Sequence, residues 1–537
     1  MPAHRPSSHE SVHTAAGIVA APHALAVEAG RDVLAEGGNA LEAALAAAAA
    51  IAVVYPHMNH LGGDGFWLIR EPSGRVRYLE ACGPAAAAAT IAGYNARGFD
   101  AIPTRGPLAA LTAPGAVGGW QLALDAARAQ GGRMSLARLL ERAVHHARDG
   151  APVSASQSAL TAAKRAELEN VPGFAAAFLP EGAVPAEGSL QRAPRLADTL
   201  EHLGRSGLAD FYRGDVGREM AADLERIGSP LARADLTAYA ARERAPLKVE
   251  MEAGTLYNAA PPTQGLASLM ILALFERLKV KQAETFAHVH GLVEATKQAF
   301  LVRDRVLTDP DHLPEDPARF LDAAALDART ARISMTRALG WPAPANGGDT
   351  IWLGAADKSG LAVSYIQSIF FEFGSGCVLP ATGVLMQNRG ASFSLRPGDL
   401  RALAPGRRPF HTLNPALAVL RDGRIMAYGT MGGEGQPQTQ AAVFSRHVLF
   451  GVPLGEAIAR PRWLLGRTWG EVETRLRLEA GFPDDVIAGL DKAGHDFLVL
   501  AEPLSDTMGH AGAVVIHPRD GLEGAHDIRA DGGAAGI

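Results

Sequence analysis

The apolar positions of the first third fall into a helical pattern that breaks once. Residues 24 to 54 are rich in alanine and other apolar helix formers, interrupted at Gly37-Gly38-Asn39. Two helices are predicted there, with glycine supplying the left-handed backbone that the turn needs. The second stretch, Leu41 to Pro56, is the most hydrophobic in the chain, but it carries Glu42 and is mostly alanine. It stops short of the ~20 strongly apolar residues that cross a bilayer. It therefore reads as a buried helix in close contact with its neighbours. A glycine-rich loop, His57 to Gly65, leads into two alternating runs, Phe66 to Ile69 and Val76 to Glu80, around Ser73-Gly74. That is a hairpin pattern.

From 106 to 300 the pattern is mostly helical, with Ser135 placed as a cap before LARLLERAVHHA and a further helix from Ala287 to Arg305. Residues 315 to 348 read as loop, ending in WPAPANGGD. The texture changes at residue 350. TIWLGAADKSGLAVSYIQSIFFEFG holds two apolar runs separated by Asp357-Lys358-Ser359-Gly360, and Ala416 to Gly432 repeats the design around Asp422-Gly423. HAGAVVIHP is the final strand expected. Strands thus dominate the last third and helices the middle, in an α/β chain with antiparallel, hairpin-rich sheets.

Composition narrows the classes. The chain has 537 residues, 47% hydrophobic and 20% charged, with a net charge of -6. Whole-chain disorder is excluded, and the length calls for a composite core. The acidic balance lacks any long Lys/Arg run, which argues against a nucleic-acid partner. Cys82 and Cys377 are the two cysteines, too few for a Cys-based zinc site and in keeping with a reducing compartment. The first residues lack a basic region followed by an apolar core, so a cytoplasmic protein with no membrane association is expected.

Several familiar chemistries are missing: there is no GxSxG, no Walker A loop, no HExxH and no GxGxxG after a strand. His57 and His60 form an HxxH with Asp64 nearby, but a loop does not fix ligand geometry as a helix does. They are read as histidines of a polar loop beside a site, with no metal. His145-His146 reads as half core, half surface. The informative segment is NGGDTIW, residues 346 to 352. If the chain were cut before Thr350, that residue would supply both a hydroxyl nucleophile and an α-amine. An α-amine with a pKa near 7.7–8.0 is suited to accept a proton at neutral pH.

At this segment the chain resembles the γ-glutamyltransferase family of N-terminal-nucleophile hydrolases. The likeness runs through GIVAAPHALAVEAGRDVLAEGGNALEAALAAAAAIAVVYPHM, LGGDGFWLI, ADFYRGDVGREMAADL, ADLTAYAARERAPL and AAPPTQG. It continues through EATKQAFLVRDRVLTDPD, GDT, GLAVS, FGSG, FSLRPG and TMGGEGQPQTQ. The resemblance implies an α+β, four-layer αββα fold, two stacked and mainly antiparallel sheets between helical layers. It implies autocleavage at Asp349–Thr350 into a large subunit, 1–349, and a small catalytic subunit, 350–537. Thr350 matches the nucleophile. Ser368 falls where the family usually has a threonine close to it, and Gly432 and Gly433 match the glycines whose amides form the oxyanion hole. No metal or organic cofactor is implied.

The residues that hold a γ-glutamyl group do not match. Leu79 stands where an Arg binds the α-carboxylate, Ser392 where an Asp binds the α-amine, and Phe370 where an Asn assists; His411-Thr412 replace a pair of serines. One cation is gained, Arg389 in QNRGASF. A guanidinium can hold a small carboxylate in a bidentate fork. The segment Asp399 to Arg407 is also short where many members carry a lid. GDTIW, QNRGASF, FHTLNPAL and TMGGEGQPQTQ look like the branch that hydrolyses oxamate. The expected function is thus an autoprocessed amidohydrolase acting on a small carboxylate-bearing amide, with Arg389, His411, Thr412 and Ser392 around the substrate. The competing readings are a genuine γ-glutamyltransferase or glutathione hydrolase with altered anchors, and an unprocessed binding protein. The expected partners are the substrate and the two subunits of one cleaved chain, in a dimer of heterodimers.

Overall fold

The computed structural model describes residues 10–341, 349–467 and 473–537. Two seven-stranded sheets form its centre. Across the first, the strands run Gly533–Gly536, Gly17–Ala21, Asp349–Asp357, Ala362–Phe370, Asp64–Arg70, Val76–Ala81 and Arg242–Arg244, every pair antiparallel. Across the second they run Val12–Thr14, Leu522–His526, Ala511–Ile516, Ile425–Thr430, Ala416–Leu420, Gly254–Asn258 and Leu247–Glu250, again antiparallel. The inner faces meet over Ile18, Phe66, Trp352, Ile366, Leu417 and Val514. The Ala24–Ala35, Ala40–Val54 and Ala116–Ala129 helices cover the outer face of the first sheet. The Gly265–Arg277, Phe286–Val306 and Gln436–Phe444 helices cover the second. This is the expected αββα layering.

Local chemistry explains these elements. Asn39 caps the alanine-rich helix reciprocally with Glu42, and almost every residue of that helix is buried. Covered on both faces, the Ala362–Phe370 strand is buried at all nine positions, and its polar residues Ser364, Gln367 and Ser368 are hydrogen-bonded within the protein. Trp352 lies between the sheets in a slot that glycines leave open. A Cβ on Gly429 would stand 2.2 Å from the indole, and one on Gly512 2.4 Å from it.

The sequence pattern misassigned several segments. The mostly helical middle also contributes Arg242–Arg244, Leu247–Glu250 and Gly254–Asn258, which close an edge of each sheet. They are short, and only Leu247–Glu250 and Gly254–Asn258 show alternating burial. The stretch read as loop contains a helix, Ala323–Thr330, that buries little besides Leu326 and so carries no apolar stripe. Ala511–Ile516 is not the final strand. Leu522–His526 and Gly533–Gly536 follow it, the last a run of glycine and alanine whose pairing comes from its neighbour. Residues 342–348, which include the Gly347-Gly348 pair, lie outside the described residues.

Candidate active site

Three adjacent strands assemble the site. The Asp349–Asp357 and Ala362–Phe370 strands pair with a bulge, so that Thr350 alone faces both Ser368 and Ile369. On the other side of the Ala362–Phe370 strand, Ser368 lies directly opposite Asp64. The glycine-rich loop leading to Asp64 approaches this strand closely. A Cβ on Gly63 would stand 2.2 Å from the Ser368 carbonyl oxygen, and one on Gly62 2.1 Å from that of Leu385. Only glycine fits such an approach.

Thr350 is fully buried, and its Oγ1 accepts a 3.3 Å hydrogen bond from Gln436 Nε2. Ser368 Oγ accepts from the Phe370 amide at 2.8 Å. Phe370 itself adopts φ 83, which an aromatic residue takes only under constraint from its surroundings. Gly432 and Gly433 form the turn between the Ile425–Thr430 strand and the Gln436–Phe444 helix, with φ 114 and 54. Their amides have no acceptor among the described residues. The turn is braced from behind. Gln264 Nε2 donates to the Gly433 carbonyl at 2.9 Å and to that of Thr412 at 2.7 Å. Arg303 in turn holds Gln264 Oε1 at 3.2 Å and Glu434 at 2.7 Å.

The second cluster is electrostatic. Arg389 is completely buried, and none of its three guanidinium nitrogens has a hydrogen-bond partner among the described residues. Its guanidinium carbon lies 4.0 Å from the centre of the Phe370 ring, a cation–π contact. Phe370 pairs with Asp349 across the two strands, so Arg389 stacks on the residue opposite the start of the Asp349–Asp357 strand. Burial pulls Arg389 down to about 9, against the pull of Asp64, so the side chain remains a cation at neutral pH. Asp64 Oδ1 accepts from the amides of Gly83 and Gly115 at 3.2 and 2.9 Å. Its Oδ2 has no hydrogen-bond donor and faces His411 Nε2 at 3.5 Å. Burial pushes Asp64 up to about 7, partly offset by Arg389. His411, edge-on to Phe66, is held neutral by burial and then by the Arg389 charge. The Thr412 hydroxyl is also buried without a partner.

An unpartnered buried guanidinium is costly unless something absent from the chain neutralises it. The same site holds the Thr350 hydroxyl, two buried amides without an acceptor among the described residues and the neutral His411 imidazole. That arrangement suits acyl transfer on a small anion.

The expected site residues therefore divide. Thr350, Ser368, Gly432 and Gly433 fall in one cluster, and Arg389, His411 and Thr412 in the adjoining one. Ser392 is placed differently. Its hydroxyl lies against the carbonyls of Arg389 and Phe410, at 3.0 and 3.1 Å, so it braces the loop that carries Arg389. Leu79 is buried opposite Trp67 and offers no polar atom. His57 and His60 are not in a polar loop. Both are buried: His57 contacts Ser156 Oγ at 3.2 Å, and His60 Nδ1 accepts from the Leu385 amide at 3.1 Å. Sequence reasoning gave no role to Gln264, Gln436 or Arg303. The glutamines stand in the quoted AAPPTQG and GEGQPQTQ motifs, where polar amides among glycines and prolines were the available clue.

Comparison with known proteins agrees. The family model described as gamma-glutamyltranspeptidase matches residues 26–537. The chain is 52% identical over 531 residues to an oxamate amidohydrolase proenzyme of Klebsiella pneumoniae, covering 99% of each. It is 39% identical to a glutathione hydrolase-like proenzyme of Bacillus subtilis, covering 97% of this chain and 98% of that one. A crystal structure of a cephalosporin acylase from Bacillus halodurans superposes with a TM-score of 0.90 at 30% identity, covering 99% of this chain and 98% of that one.

Proposed function

The chain belongs to the gamma-glutamyltranspeptidase family, and on that premise we propose that it cleaves itself at Asp349–Thr350 and then hydrolyses a small carboxylate-bearing amide such as oxamate. It is an autoprocessed amidohydrolase of the N-terminal-nucleophile type. In this reading residues 1–349 become the large subunit and 350–537 the small one.

The chemistry follows from the geometry. Freed at its amine, Thr350 passes its hydroxyl proton to its own α-amino group and attacks the amide carbonyl. The Gly432 and Gly433 amides hold the oxyanion; glycine there lets two adjacent N–H groups approach without a side chain in the way. Ammonia leaves with the returned proton, and water resolves the acyl-threonine by the same route. Ser368 and Gln436 hold the nucleophile's position. Nucleophile, base and oxyanion donors all belong to the chain, so the sequence of steps calls on no metal or organic cofactor. Arg389 grips the substrate carboxylate, with His411 and Thr412 beside it.

The observation that carries the substrate class is Arg389: buried, cationic, unpartnered and stacked on the residue opposite Asp349. A γ-glutamyl head would also bring an ammonium group, and burial raises Asp64, the carboxylate described beside Arg389, to about 7, so that it offers only a partly ionised partner at neutral pH. The decisive experiment measures ammonia release from oxamate and related small amides beside p-nitroaniline release from γ-glutamyl-p-nitroanilide. Faster turnover of the γ-glutamyl compound would overturn the assignment. No helix among the described residues is long and apolar enough to cross a membrane. A cytoplasmic location fits Cys82 and Cys377, both free and buried.

A further inference from the structure

Besides the cluster around Arg389, a second buried ionic group grips the chain shortly before the proposed cleavage point. His290, Glu294 and Lys297 lie on one face of the Phe286–Val306 helix, spaced i, i+4 and i+7. All three are buried. Lys297 Nζ donates to Glu294 Oε1 at 2.7 Å and to the Leu339 carbonyl at 2.6 Å. The other oxygen of Glu294 accepts from the Leu339 amide at 3.1 Å. His290 Nε2 donates to the Ser334 carbonyl at 2.7 Å, while its Nδ1 meets His495 Nε2 at 2.8 Å. The Ala338 amide donates to the Ala493 carbonyl at 2.8 Å.

His290, Glu294 and His495 are the His/carboxylate trio whose spacing would admit a metal ion among the described residues. The Lys297 ammonium already takes the cation's place on Glu294. What the cluster holds instead is backbone. A buried ion pair is worth little as stabilisation once desolvation is counted. Here both partners are directed at the N–H and C=O of Leu339, whose own side chain is exposed. That is the geometry of a clamp.

We propose that the His290–Glu294–Lys297 clamp is a positioning device for self-cleavage, resting on the reading that Asp349–Thr350 is the bond cut. It fixes the chain ten residues before Asp349, while the Asp349–Asp357 strand fixes it immediately after. Anchoring the chain on both sides narrows the orientations that the Asp349 carbonyl can take toward the neighbouring Thr350 hydroxyl and so favours the one in line for attack. In the step it assists, Thr350 Oγ bonds to the Asp349 carbonyl carbon and the Asp349–Thr350 C–N bond breaks. The nitrogen takes the hydroxyl proton to become the α-amine. Water then hydrolyses the resulting ester, leaving a carboxylate on Asp349 and the hydroxyl on Thr350. Turnover of substrate afterwards makes no demand on the clamp.

The test follows processing of freshly made full-length precursor on denaturing gels. The double variant Glu294→Leu/Lys297→Met replaces the pair with apolar groups of similar size and removes the grip on Leu339. Cleavage should slow at least about tenfold, and the fraction that does mature should keep wild-type kcat and KM. Ala338→Pro, which deletes one amide of the clamped segment and leaves the helix untouched, should slow it in the same direction. Lys297→Arg should restore part of the rate. Cleavage at the wild-type rate in the double variant and in Ala338→Pro would overturn the proposal. So would slowing matched by an equal loss of kcat in matured enzyme, since that marks general damage. If wild-type precursor is not cut before Thr350, the parent reading fails instead, and the two failures are distinguishable.

Discussion

At the scale of single residues, the site is defined by what its buried groups lack. Arg389 has an aromatic platform in Phe370 and no hydrogen-bond partner of its own among the described residues. Losing a bidentate carboxylate contact in such a place costs on the order of 2–4 kcal/mol, or roughly 30- to 1000-fold in kcat/KM. Arg389→Ala should show that loss in amide hydrolysis while still cleaving itself, because self-cleavage involves no substrate carboxylate. Arg389→Lys should recover only part, since a point charge cannot reproduce the fork. Wild-type efficiency in Arg389→Ala would reduce the residue to packing. Asp64 makes a second prediction. Its carboxyl is pushed up to about 7 by burial, so it is mostly neutral below that pH and ionised above. The ionised form competes with the substrate carboxylate for Arg389. Affinity for an anionic amide should therefore fall as pH rises through about 7, seen as a rising KM. Asp64→Asn should flatten that limb, and an unchanged pH profile in the variant would remove Asp64 from substrate recognition.

At the scale of elements, the proposed mechanism rests on two unusual backbone passages, the bulge at Thr350 and the turn at Gly432-Gly433. A Cβ on Gly432 would stand 3.2 Å from Gly509 Cα, on a backbone with φ 114 that side chains rarely adopt. Gly432→Ala should displace the amide aimed at the oxyanion. Removing one such donor costs about 10²–10³ in kcat, so kcat should fall by that order with the protein still folded. A variant that keeps full kcat would move the oxyanion donors elsewhere. These elements also show how far the sequence could be read. The hairpins at Asp422-Gly423 and Lys358-Ser359, the break at Gly37-Gly38-Asn39 and the cap at Ser135 were legible because turn and cap chemistry is local; that Asn39 caps the second helix was not read from the sequence. Thr350, Gly432 and Gly433 were singled out through the GDT and GG motifs that carry the family resemblance, and the fold brings them to one place, with Gln436 of the adjoining helix bonded to Thr350. Gly533–Gly536 was not legible, since its strand character comes from pairing with Gly17–Ala21 across the chain. The brace Arg303–Gln264–Gly433 escaped notice for the same reason: it joins residues 39 and 169 positions apart. The bracing role of Ser392 was likewise invisible, because it depends on where the Phe410 carbonyl comes to rest.

At the scale of the whole molecule, cleavage before Thr350 would cut the chain without cutting the fold. In the first sheet the would-be small subunit supplies Gly533–Gly536, Asp349–Asp357 and Ala362–Phe370, apart from Asp349 itself. Large-subunit strands interrupt and flank them: Gly17–Ala21 lies between Gly533–Gly536 and Asp349–Asp357, and Asp64–Arg70 lies beside Ala362–Phe370. The second sheet is joined in the same way, Val12–Thr14 to Leu522–His526 and Gly254–Asn258 to Ala416–Leu420. Each seam is a hydrogen-bonded ladder, and the core beneath mixes Ile18 and Phe66 with Trp352 and Val514. Parting the halves would expose strand edges and both inner faces together, which is equivalent to unfolding. The mature protein should therefore run on a denaturing gel as two bands of about 36.5 and 19.7 kDa, in proportion to 349 and 188 of the 537 residues. Under native size exclusion it should elute as one species at the volume of the uncut Thr350→Ala variant, even after dilution to nanomolar concentration. Fragments that separate on native dilution would show that the seams do not hold. A wild-type protein that stays one band under denaturing conditions, after prolonged incubation, would sink the cleavage itself.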